Sequence, residues 1–551
     1  MIIMHMMQLH NITIILYNCG TILSYCSVIT YAYCLRLLDN ITTNRYFSII
    51  DQTILQNTGD AIMAAIYNRR SFLQSAGGAL SASLLTGCAT EKEPLPEKKP
   101  NFVFILVDDL GWMDLGCYGS SLYDTPNVDR LASQGMRFTD AYAACPVCSP
   151  TRASIMTGKY PARVGITDWI PGYVTFRKDE KFKLDTPEDR HELPFEEVTI
   201  AEVLKDSGYA TLFAGKWHLG KEPYLPDRQG FVENIGGNAT GQPKGGYFSP
   251  YDNPQLTDGP EGEYLTDRLG DESLKFIESN TENPFLLYLS FYTVHTPIQS
   301  KDDYRKDYEE KIAALPEPYG PRFIPEGEVS KVRQFQDDPG YAGMIRSMDE
   351  NVGRVLDKIN ELNLDDTTIV IFMSDNGGLS TVPWEGPTSN VPLRAGKGWL
   401  YEGGIRTPMI VKWPGVVKPG SISDTPVTST DFYPTMLEMA GLGLRPEQHA
   451  DGVSMTPLLK GTGTLDRDAI FWHFPHYHGS GSKPGGAVRS GDYKLIEFFE
   501  NNRIELYNLK DDISERSNLA DTLPDKKNEL YSLLINWREE TGAKMPTLSK
   551  E

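Results

Sequence analysis

Cysteine and positive charge are both scarce in this chain of 551 residues. Its seven cysteines are scattered, at positions 19, 26, 34, 88, 117, 145 and 148, and lack the dense spacing of a disulfide-stabilised domain. The net charge is −21, from 53 basic and 74 acidic residues, which argues against nucleic acid as a partner. An acidic protein that acts on an anionic ester therefore needs a local group of basic side chains.

Charged residues are absent from the first 35 positions, where the run 12–34 is long enough to span a membrane. Polar residues interrupt this run, and a complete export signal begins only later, at Met63. We expect translation to start at Met63 and residues 1–62 to be upstream sequence. A genuine N-terminal anchor is the alternative.

The export signal is predicted to occupy residues 63–88. Arg69-Arg70 resembles a twin-arginine motif, and Leu85-Thr86-Gly87-Cys88 resembles a bacterial lipobox, in which the cysteine is lipidated. These motifs imply the twin-arginine translocase as a partner and an exported bacterial protein, periplasmic or at the cell surface. They also imply membrane attachment only through a lipid on Cys88. Residues 89–99, charged and containing proline, then form a linker.

From residue 100 the pattern predicts an α/β fold. Residues 101–107 form a near-continuous apolar run, which is typical of a strand buried on both faces of a parallel sheet. Further strands are predicted at 210–214, 284–290 and 367–373, and helices at 127–135, 200–207 and 349–362. This alternation favours a mainly parallel sheet sandwiched by helices over residues 100–460.

The character of the chain changes near residue 461. Short strands are predicted at 469–473, 487–489, 493–498 and 505–508, followed by a helix at 529–539. Residues 461–551 are thus expected to form a smaller α+β subdomain with an antiparallel sheet. Two stretches of the main domain, 169–189 and 238–262, are rich in Gly, Pro and Tyr and are expected to be long loops near the site.

A short helix is predicted after Cys148, with Ser149 as its N-cap, Pro150 in its first turn and Gly158 at its end. A thiol beside a helix N-terminus and the guanidinium of Arg152 is placed for chemistry on an anion. Two other readings stay open. Cys148 can be a small buried apolar residue, or Cys145 and Cys148 can form a redox pair or half of a zinc site.

Four oxygen-bearing side chains follow two of the predicted buried strands. Asp108 and Asp109 end the first, and Asp375 and Asn376 end the last. Ordinary turn residues are the alternative, because Asp and Asn often follow strands. Taken together, oxygen-only ligands at the carboxyl ends of strands favour Ca²⁺ or Mg²⁺ over zinc.

The pattern Cys148-x-Pro150-x-Arg152, with Met156-Thr157-Gly158 after it, resembles the signature of the type I, formylglycine-dependent sulfatases of the alkaline phosphatase superfamily. Met156 stands where that family usually has Leu. Further segments resemble family motifs in matching order over about residues 101–414: Gly215-Lys216-Trp217-His218-Leu219-Gly220, His295 before Thr296-Pro297, and Lys397.

The resemblance implies a site and a mechanism. Cys148 would be oxidised to formylglycine by a maturase, and one hydroxyl of the hydrated aldehyde would attack sulfur. The implied metal ligands are Asp108, Asp109, Asp375, Asn376 and residue 148, with Ca²⁺ favoured and Mg²⁺ possible. Arg152, Lys216 and Lys397 would neutralise sulfate, His295 or Lys397 would protonate the leaving alcohol, and His218 would act as a base.

The implied substrate is a sulfated carbohydrate, such as a fragment of a polysaccharide or glycosaminoglycan. Three histidines among aromatic residues, His473, His476 and His478, are predicted to bind it from the subdomain, with an inward-packed strand edge as the alternative. Hydrolysis of a phosphate ester or phosphonate on the same scaffold is the nearest rival function. A thiol–disulfide protein and a non-catalytic carbohydrate-binding relative are the others.

Overall fold

The computed structural model describes residues 99–177, 181–317 and 319–550. The export signal with Arg69, Arg70 and Cys88, the segment 1–62 and all but the last residue of the linker lie outside these ranges. Among the residues described, no helix combines the length and the apolar character needed to cross a membrane.

The strands in chain order are β1 Asn101–Val107, β2 Met136–Phe138, β3 Ala141–Tyr142, β4 Leu184–Asp185, β5 Ala210–Gly215, β6 Glu233–Ile235, β7 Phe285–Ser290, β8 Phe323–Glu326, β9 Ser330–Arg333, β10 Thr368–Ser374, β11 Thr381–Val382, β12 Met409–Lys412, β13 Ser421–Ser423, β14 Val427–Thr428, β15 Ile470–Phe474, β16 Gly485–Ser490, β17 Tyr493–Phe498, β18 Arg503–Asn508 and β19 Thr547–Leu548.

The α-helices in chain order are α1 Pro126–Gln134, α2 Cys148–Thr157, α3 Pro161–Val164, α4 Tyr173–Phe176, α5 Ile200–Asp206, α6 Leu265–Ser279, α7 Asp302–Ala313, α8 Pro339–Glu361, α9 Glu402–Ile405, α10 Phe432–Met439, α11 Thr456–Leu459 and α12 Pro524–Thr541.

A sheet of eight strands forms the centre, in the order β13-β2-β12-β10-β1-β7-β5-β6. Within this sheet only β12 runs against the other strands. All seven residues of β1 are buried, and they alternate between two cores: Val103 packs among residues of α6 and α8, while Phe104 packs among residues of α5 and α10. The predicted α/β sandwich is therefore confirmed.

Most predicted elements lie where expected, and β1 and β17 have the predicted bounds. Helix α8 is longer than predicted, because it begins at Pro339, where Asp338 caps it by accepting the N–H of Tyr341. One local prediction is wrong. Ser149 is not an N-cap; α2 begins at Cys148 itself, with Val147 before it, and the Ser149 hydroxyl accepts the N–H of Ile170.

The C-terminal sheet is antiparallel, in the order β15-β16-β17-β18, and α12 packs on one of its faces. Its other face meets the main domain: Trp472 packs in one apolar cluster with Tyr142, and its indole N–H donates to the Ala143 carbonyl at 2.8 Å. A buried ionic cluster also joins the two parts. Lys494 Nζ of β17 lies 2.9 Å from carboxylate oxygens of both Glu402 and Glu515, and all three side chains are fully buried.

Lys494→Met is expected to lower the free energy of unfolding by roughly 3–5 kcal/mol, because it leaves the Glu402 and Glu515 carboxylates buried without this cation. Urea denaturation measures the change. Lys510→Met, at an exposed lysine of the same subdomain, is the matched control and should change stability by less than about 0.5 kcal/mol. A loss below about 1 kcal/mol for Lys494→Met would contradict this role.

Candidate active site

Polar side chains follow four neighbouring strands of the central sheet, β10, β1, β7 and β5, which are parallel. Their carboxyl ends meet at one edge of the sheet, where open α/β sheets place their ligands. The residues that follow these ends are Asp375 and Asn376, Asp108 and Asp109, His295, and Lys216 and His218. All seven are thereby brought together at one place.

The backbone at this edge has one very close approach between chain segments and several residues with positive φ. Gly215 ends β5 with a φ of +113°, and a Cβ there would lie 1.8 Å from the Ser290 carbonyl oxygen. That close approach requires glycine, and it lets the N–H of Lys216 donate to the same carbonyl at 2.8 Å. Asp109 and His218 also have positive φ, 63° and 57°, a costly conformation for residues other than glycine that is often found at functional sites.

Helix α2 points its N-terminus at this edge. Cys148 is its first residue, and Gly158, in the left-handed conformation at φ 69°, ends it as predicted. Arg152, one turn in, is buried; its Nε donates to Asp375 Oδ2 at 2.9 Å and its Nη1 to Ser290 Oγ at 2.7 Å. Ser290 is a site residue that the sequence patterns did not single out, because a serine at a strand end has no distinctive spacing.

The redox-pair interpretation of Cys145 finds no support in the structure. Cys145 and Cys148 are both free thiols. Burial raises the pKa of Cys145 well above its ordinary value, which makes it a poor nucleophile and a poor metal ligand.

Each carboxylate of the cluster forms one short ion pair. Lys216 Nζ lies 2.6 Å from Asp108 Oδ2, Lys397 Nζ lies 2.7 Å from Asp109 Oδ1, and Arg152 Nη2 lies 2.7 Å from Asp375 Oδ2. Burial opposes ionisation of Asp109, but the charge of Lys397, its hydrogen bond and the charge of Lys216 are among the contributions that together outweigh burial and hold the pKa of Asp109 below its usual range. Burial instead raises the pKa of Asp108 well above its usual range, because Lys216 compensates it only in part.

The cluster fits a hard divalent cation. Asp108 Oδ1 and Asn376 Oδ1 are buried and have no hydrogen-bond partner among the described residues, which is costly unless something binds them. Asp108, Asp109 and His295 each offer a ligand atom, and these atoms lie within 4.8 Å of one another. Carboxylate and amide oxygens are the donors that Ca²⁺ and Mg²⁺ prefer. A cation there would also stabilise the ionised form of Asp108.

His218 contacts Cys148 directly, with Nδ1 3.3 Å from Sγ. Its Nε2 lies 2.6 Å from the Ile170 carbonyl oxygen, which can only accept, so Nε2 carries the proton. Burial, and then the charge of Lys216, lower the pKa of His218 well below its ordinary value. The ring is therefore neutral, with the lone pair of Nδ1 turned to residue 148, as a general base requires.

His295 lies beside the carboxylates, with Nε2 3.8 Å from Asp109 Oδ2. Its Nδ1 donates to the Thr296 carbonyl at 2.8 Å, which fixes the orientation of the ring. Burial, and then the charge of Lys397, lower the pKa of His295 to about 3, although Asp109 opposes this.

A cavity of about 560 Å³ opens above these groups. Its floor holds Cys148, His218, His295 and Lys397, and both predicted loops contribute walls. The other lining residues are mainly aromatic, apolar or neutral polar, and include Trp169, Ile170, Tyr173, Thr240, Gln242, Leu379, Val382, Trp384 and His478. Trp384 is 55% exposed, an unusual position for a large aromatic side chain and one suited to contact a ligand.

The three histidines of the subdomain have different positions. His478 lines the cavity. His473 and His476 do not: His473 Nε2 is bonded to the Lys544 carbonyl at 2.9 Å, and His476 Nε2 to Thr167 Oγ1 at 2.8 Å, and both rings are buried. Of the three histidines predicted to bind substrate, the structure thus places only His478 at the cavity. Successive side chains of a strand point to opposite faces of the sheet, and in β15 the side chain of His473 lies on the face turned away from the cavity.

Comparison with known proteins finds two matching families. A family model described as Sulfatase matches residues 100–442, and one described as N-sulphoglucosamine sulphohydrolase, C-terminal, matches residues 395–538. A protein named Sulfatase from Formosa agariphila is 33% identical over 83% of this chain and 91% of its own length. Arylsulfatase A of Homo sapiens is 34% identical over 73% of this chain and 75% of its own length.

N-acetylgalactosamine-6-sulfatase of Homo sapiens is 30% identical, and the match covers 68% of each chain. Among solved structures, Ps i-CgsB is 30% identical with a TM-score of 0.64, over 80% of this chain and 93% of that one. A second structure of the same protein is a complex with k-i-k-neocarrahexaose.

Proposed function

The chain belongs to the sulfatase family and is a sulfuric ester hydrolase, and from this premise we propose that its substrates are sulfated carbohydrates and that Cys148, converted to formylglycine, is its nucleophile. One observation carries the proposal. The N-terminus of α2 presents residue 148 to three cations and to a buried oxygen cluster, at the floor of a cavity open to solvent.

Two comparisons support a carbohydrate substrate. One relative is named for N-acetylgalactosamine 6-sulfate, and one structural neighbour binds an oligosaccharide. The aromatic walls of the cavity fit this class, because the apolar faces of sugar rings pack on aromatic side chains. Polysaccharide or glycosaminoglycan fragments are the proposed source of the sulfated sugar.

The proposed roles follow from position. Formylglycine would supply a hydroxyl nucleophile as its hydrate, and a cation, for which we propose Ca²⁺, would offset the charge of the sulfate oxygens. Asp108, Asp109, Asp375, Asn376 and residue 148 would hold that cation. Arg152, Lys216 and Lys397 balance the three carboxylates, so that a bound divalent cation leaves the site positive for an anionic ester.

His218 is proposed to remove a proton from residue 148, through Nδ1. The leaving alcohol would take its proton from Lys397 or His295. Neutral His295 carries its proton on Nδ1, which already donates to the Thr296 carbonyl. The Lys397 ammonium contacts both Asp109 carboxylate oxygens and has a third proton to donate.

His218→Ala is expected to lower kcat by about 10²–10⁴-fold, because it removes a general base and leaves the charged groups in place. Steady-state kinetics with a sulfate ester that the enzyme hydrolyses measures this change. The modified fraction at residue 148, read by peptide mass, is the control and should match that of the unsubstituted enzyme. A loss confined to KM would contradict the role of a base.

The experiment that tests the function is an assay of released sulfate over a panel of sulfated monosaccharides and disaccharides. Aryl and steroid sulfates and the corresponding phosphate esters complete the panel. Release from at least one sulfated sugar, with far slower release of phosphate, is expected. Faster hydrolysis of a phosphate ester or phosphonate would favour the rival function on this scaffold.

We also propose the domain layout and export route expected from the sequence: a signal at 63–88, a linker at 89–99, a catalytic domain at 100–460 and a subdomain at 461–551. Cys148 would be oxidised by a cytoplasmic maturase before folding is complete, since it lies buried at the floor of the cavity. The folded enzyme would then leave through the twin-arginine translocase and be lipidated at Cys88.

Replacement of Arg69-Arg70 by Lys-Lys is expected to strand active, modified enzyme in the cytoplasm, because that translocase carries folded proteins. Cell fractionation with activity assays and peptide mass spectrometry measures the outcome. Stranded protein that keeps an unmodified Cys148 beside a working maturase would contradict the proposed order of events.

A further inference from the structure

A second cavity, of about 290 Å³, adjoins the catalytic cavity, and Tyr173 and His478 line both. Its remaining walls come from the loop before β4, from the turn between β8 and β9 and from the C-terminal subdomain, and they include the lysines Lys181, Lys183 and Lys483 and the carboxylates Glu328 and Glu500. We propose that this second cavity binds an anionic sugar adjacent to the sugar whose sulfate is removed. The proposal rests on the proposed function and narrows it to substrates of at least two sugars with a second negative charge.

Two lysines of the second cavity, Lys183 and Lys483, form only long ion pairs. Lys483 Nζ lies 3.6 Å from Glu500 Oε2 and 3.4 Å from Glu328 Oε2, and Lys183 Nζ lies 3.8 Å from Glu500 Oε2. Such long, partly exposed ion pairs contribute little to stability. Glu500 itself is held in place, since the Tyr477 hydroxyl donates to its Oε1 at 2.7 Å. Both lysines can therefore turn to a ligand anion at small cost.

His478 lies at the junction of the cavities and can act as a donor to a ligand that spans them. The N–H of Ser480 donates to its Nδ1 at 3.1 Å, so Nδ1 is an acceptor and the proton of the neutral ring is on Nε2. Burial, and then the charge of Lys397, lower the pKa of His478 to about 3 and keep the ring neutral. A neutral N–H donor at this point suits the hydroxyl or ring oxygen of a sugar.

Aromatic rings complete the second cavity. Phe182 and Tyr477 have ring centroids 4.4 Å apart, and Tyr173 contacts Phe182 at 6.3 Å. These rings offer apolar surface to one face of a sugar, while the lysines lie where a carboxylate or sulfate can reach them. The second cavity has three lysines and two carboxylates in a protein whose net charge is −21, and this local excess of positive charge beside the active site favours an anionic sugar over a neutral one.

The test measures binding to the full-length protein by titration calorimetry, and every protein compared also carries Cys148→Ala, so that the sulfate ester is bound without being hydrolysed. The probes are heparin-derived and chondroitin 6-sulfate-derived tetrasaccharides, with glucosamine 6-sulfate and N-acetylgalactosamine 6-sulfate as the matching single sugars. For at least one pair, the tetrasaccharide is expected to bind about tenfold more tightly than the single sugar. Lys483→Ala should remove most of that advantage, and Lys483→Glu should remove all of it.

The single sugar should bind both Lys483 variants as it binds the protein that retains Lys483, and Lys205→Ala, an exposed lysine on α5, is the matched control. Thermal denaturation shows whether each variant is folded. Equal affinity for chain and single sugar in both pairs, or equal losses in the Lys483 and Lys205 variants, would overturn the second site. Absence of sulfate release across the functional panel would instead overturn the proposed function, whatever the binding result.

Discussion

Cys148→Ala is expected to reduce turnover on the order of 10⁵-fold or more, because alanine lacks the thiol that the maturase oxidises and no formylglycine can form. The fold should survive, since alanine fits the first position of α2 and, among the described residues, only the side-chain hydrogen bond to His218 is lost. The measurement is kcat on the best ester of the panel, with thermal denaturation to show that the variant is folded.

Cys145→Ala is the matched control for this substitution. Cys145 is as deeply buried as Cys148 and lies three residues away, yet its raised pKa and its position outside the oxygen cluster give it no part in the chemistry. We expect most of the activity to remain. Equal losses from both substitutions would favour a paired role for the two thiols and contradict the proposal.

Asp375→Asn is expected to lower kcat/KM on the order of 10³-fold. The change removes one carboxylate charge from the cation site, and it also deprives Arg152 of its ion-pair partner at 2.7 Å. Chelation should inactivate the unsubstituted enzyme reversibly, and added Ca²⁺ or Mg²⁺ should restore it, whereas the variant should need far more cation. Elemental analysis measures the metal content directly.

Asp366→Asn, at an exposed carboxylate just before β10 and so near the opposite end of this strand from Asp375, is the control for charge removal and should change neither activity nor cation requirement. Full activity of the unsubstituted enzyme after exhaustive chelation, with no metal by elemental analysis, would contradict the cation site.

The strands that carry the site were predictable because they are buried on both faces. Asn101–Val107 has an apolar side chain at every position after the first, and no helix or surface strand explains that run. Once β1 and β10 were located, the residues after them had to meet at one sheet edge, so Asp108 and Asp375 could be paired from sequence alone. Their ion pairs with Lys216 and Arg152 could not, because these depend on side-chain packing.

Other features depended on tertiary contacts that leave no pattern in the sequence. Ser149 is a residue type that is common at N-caps, yet its hydroxyl accepts the N–H of Ile170. This hydrogen bond helps to position Ile170, whose carbonyl accepts the proton on Nε2 of His218. The start of α8 was missed because Gly340 and Gly343 disfavour a helix locally, although packing against α6 and α7 stabilises it. His473 and His478 lie in the same aromatic stretch of the sequence, so the pattern could not distinguish them. In the structure His473 is hydrogen-bonded to the Lys544 carbonyl, whereas His478 lines the cavity.

The central claim is that residue 148 acts as formylglycine, and the mass of its tryptic peptide tests it most directly. From cells with a maturase, the peptide should be lighter than the thiol form by about 18 Da. Across preparations with different maturase levels, kcat should rise in proportion to the modified fraction. A preparation that is fully active while its peptide retains an unmodified Cys148 thiol would contradict the account.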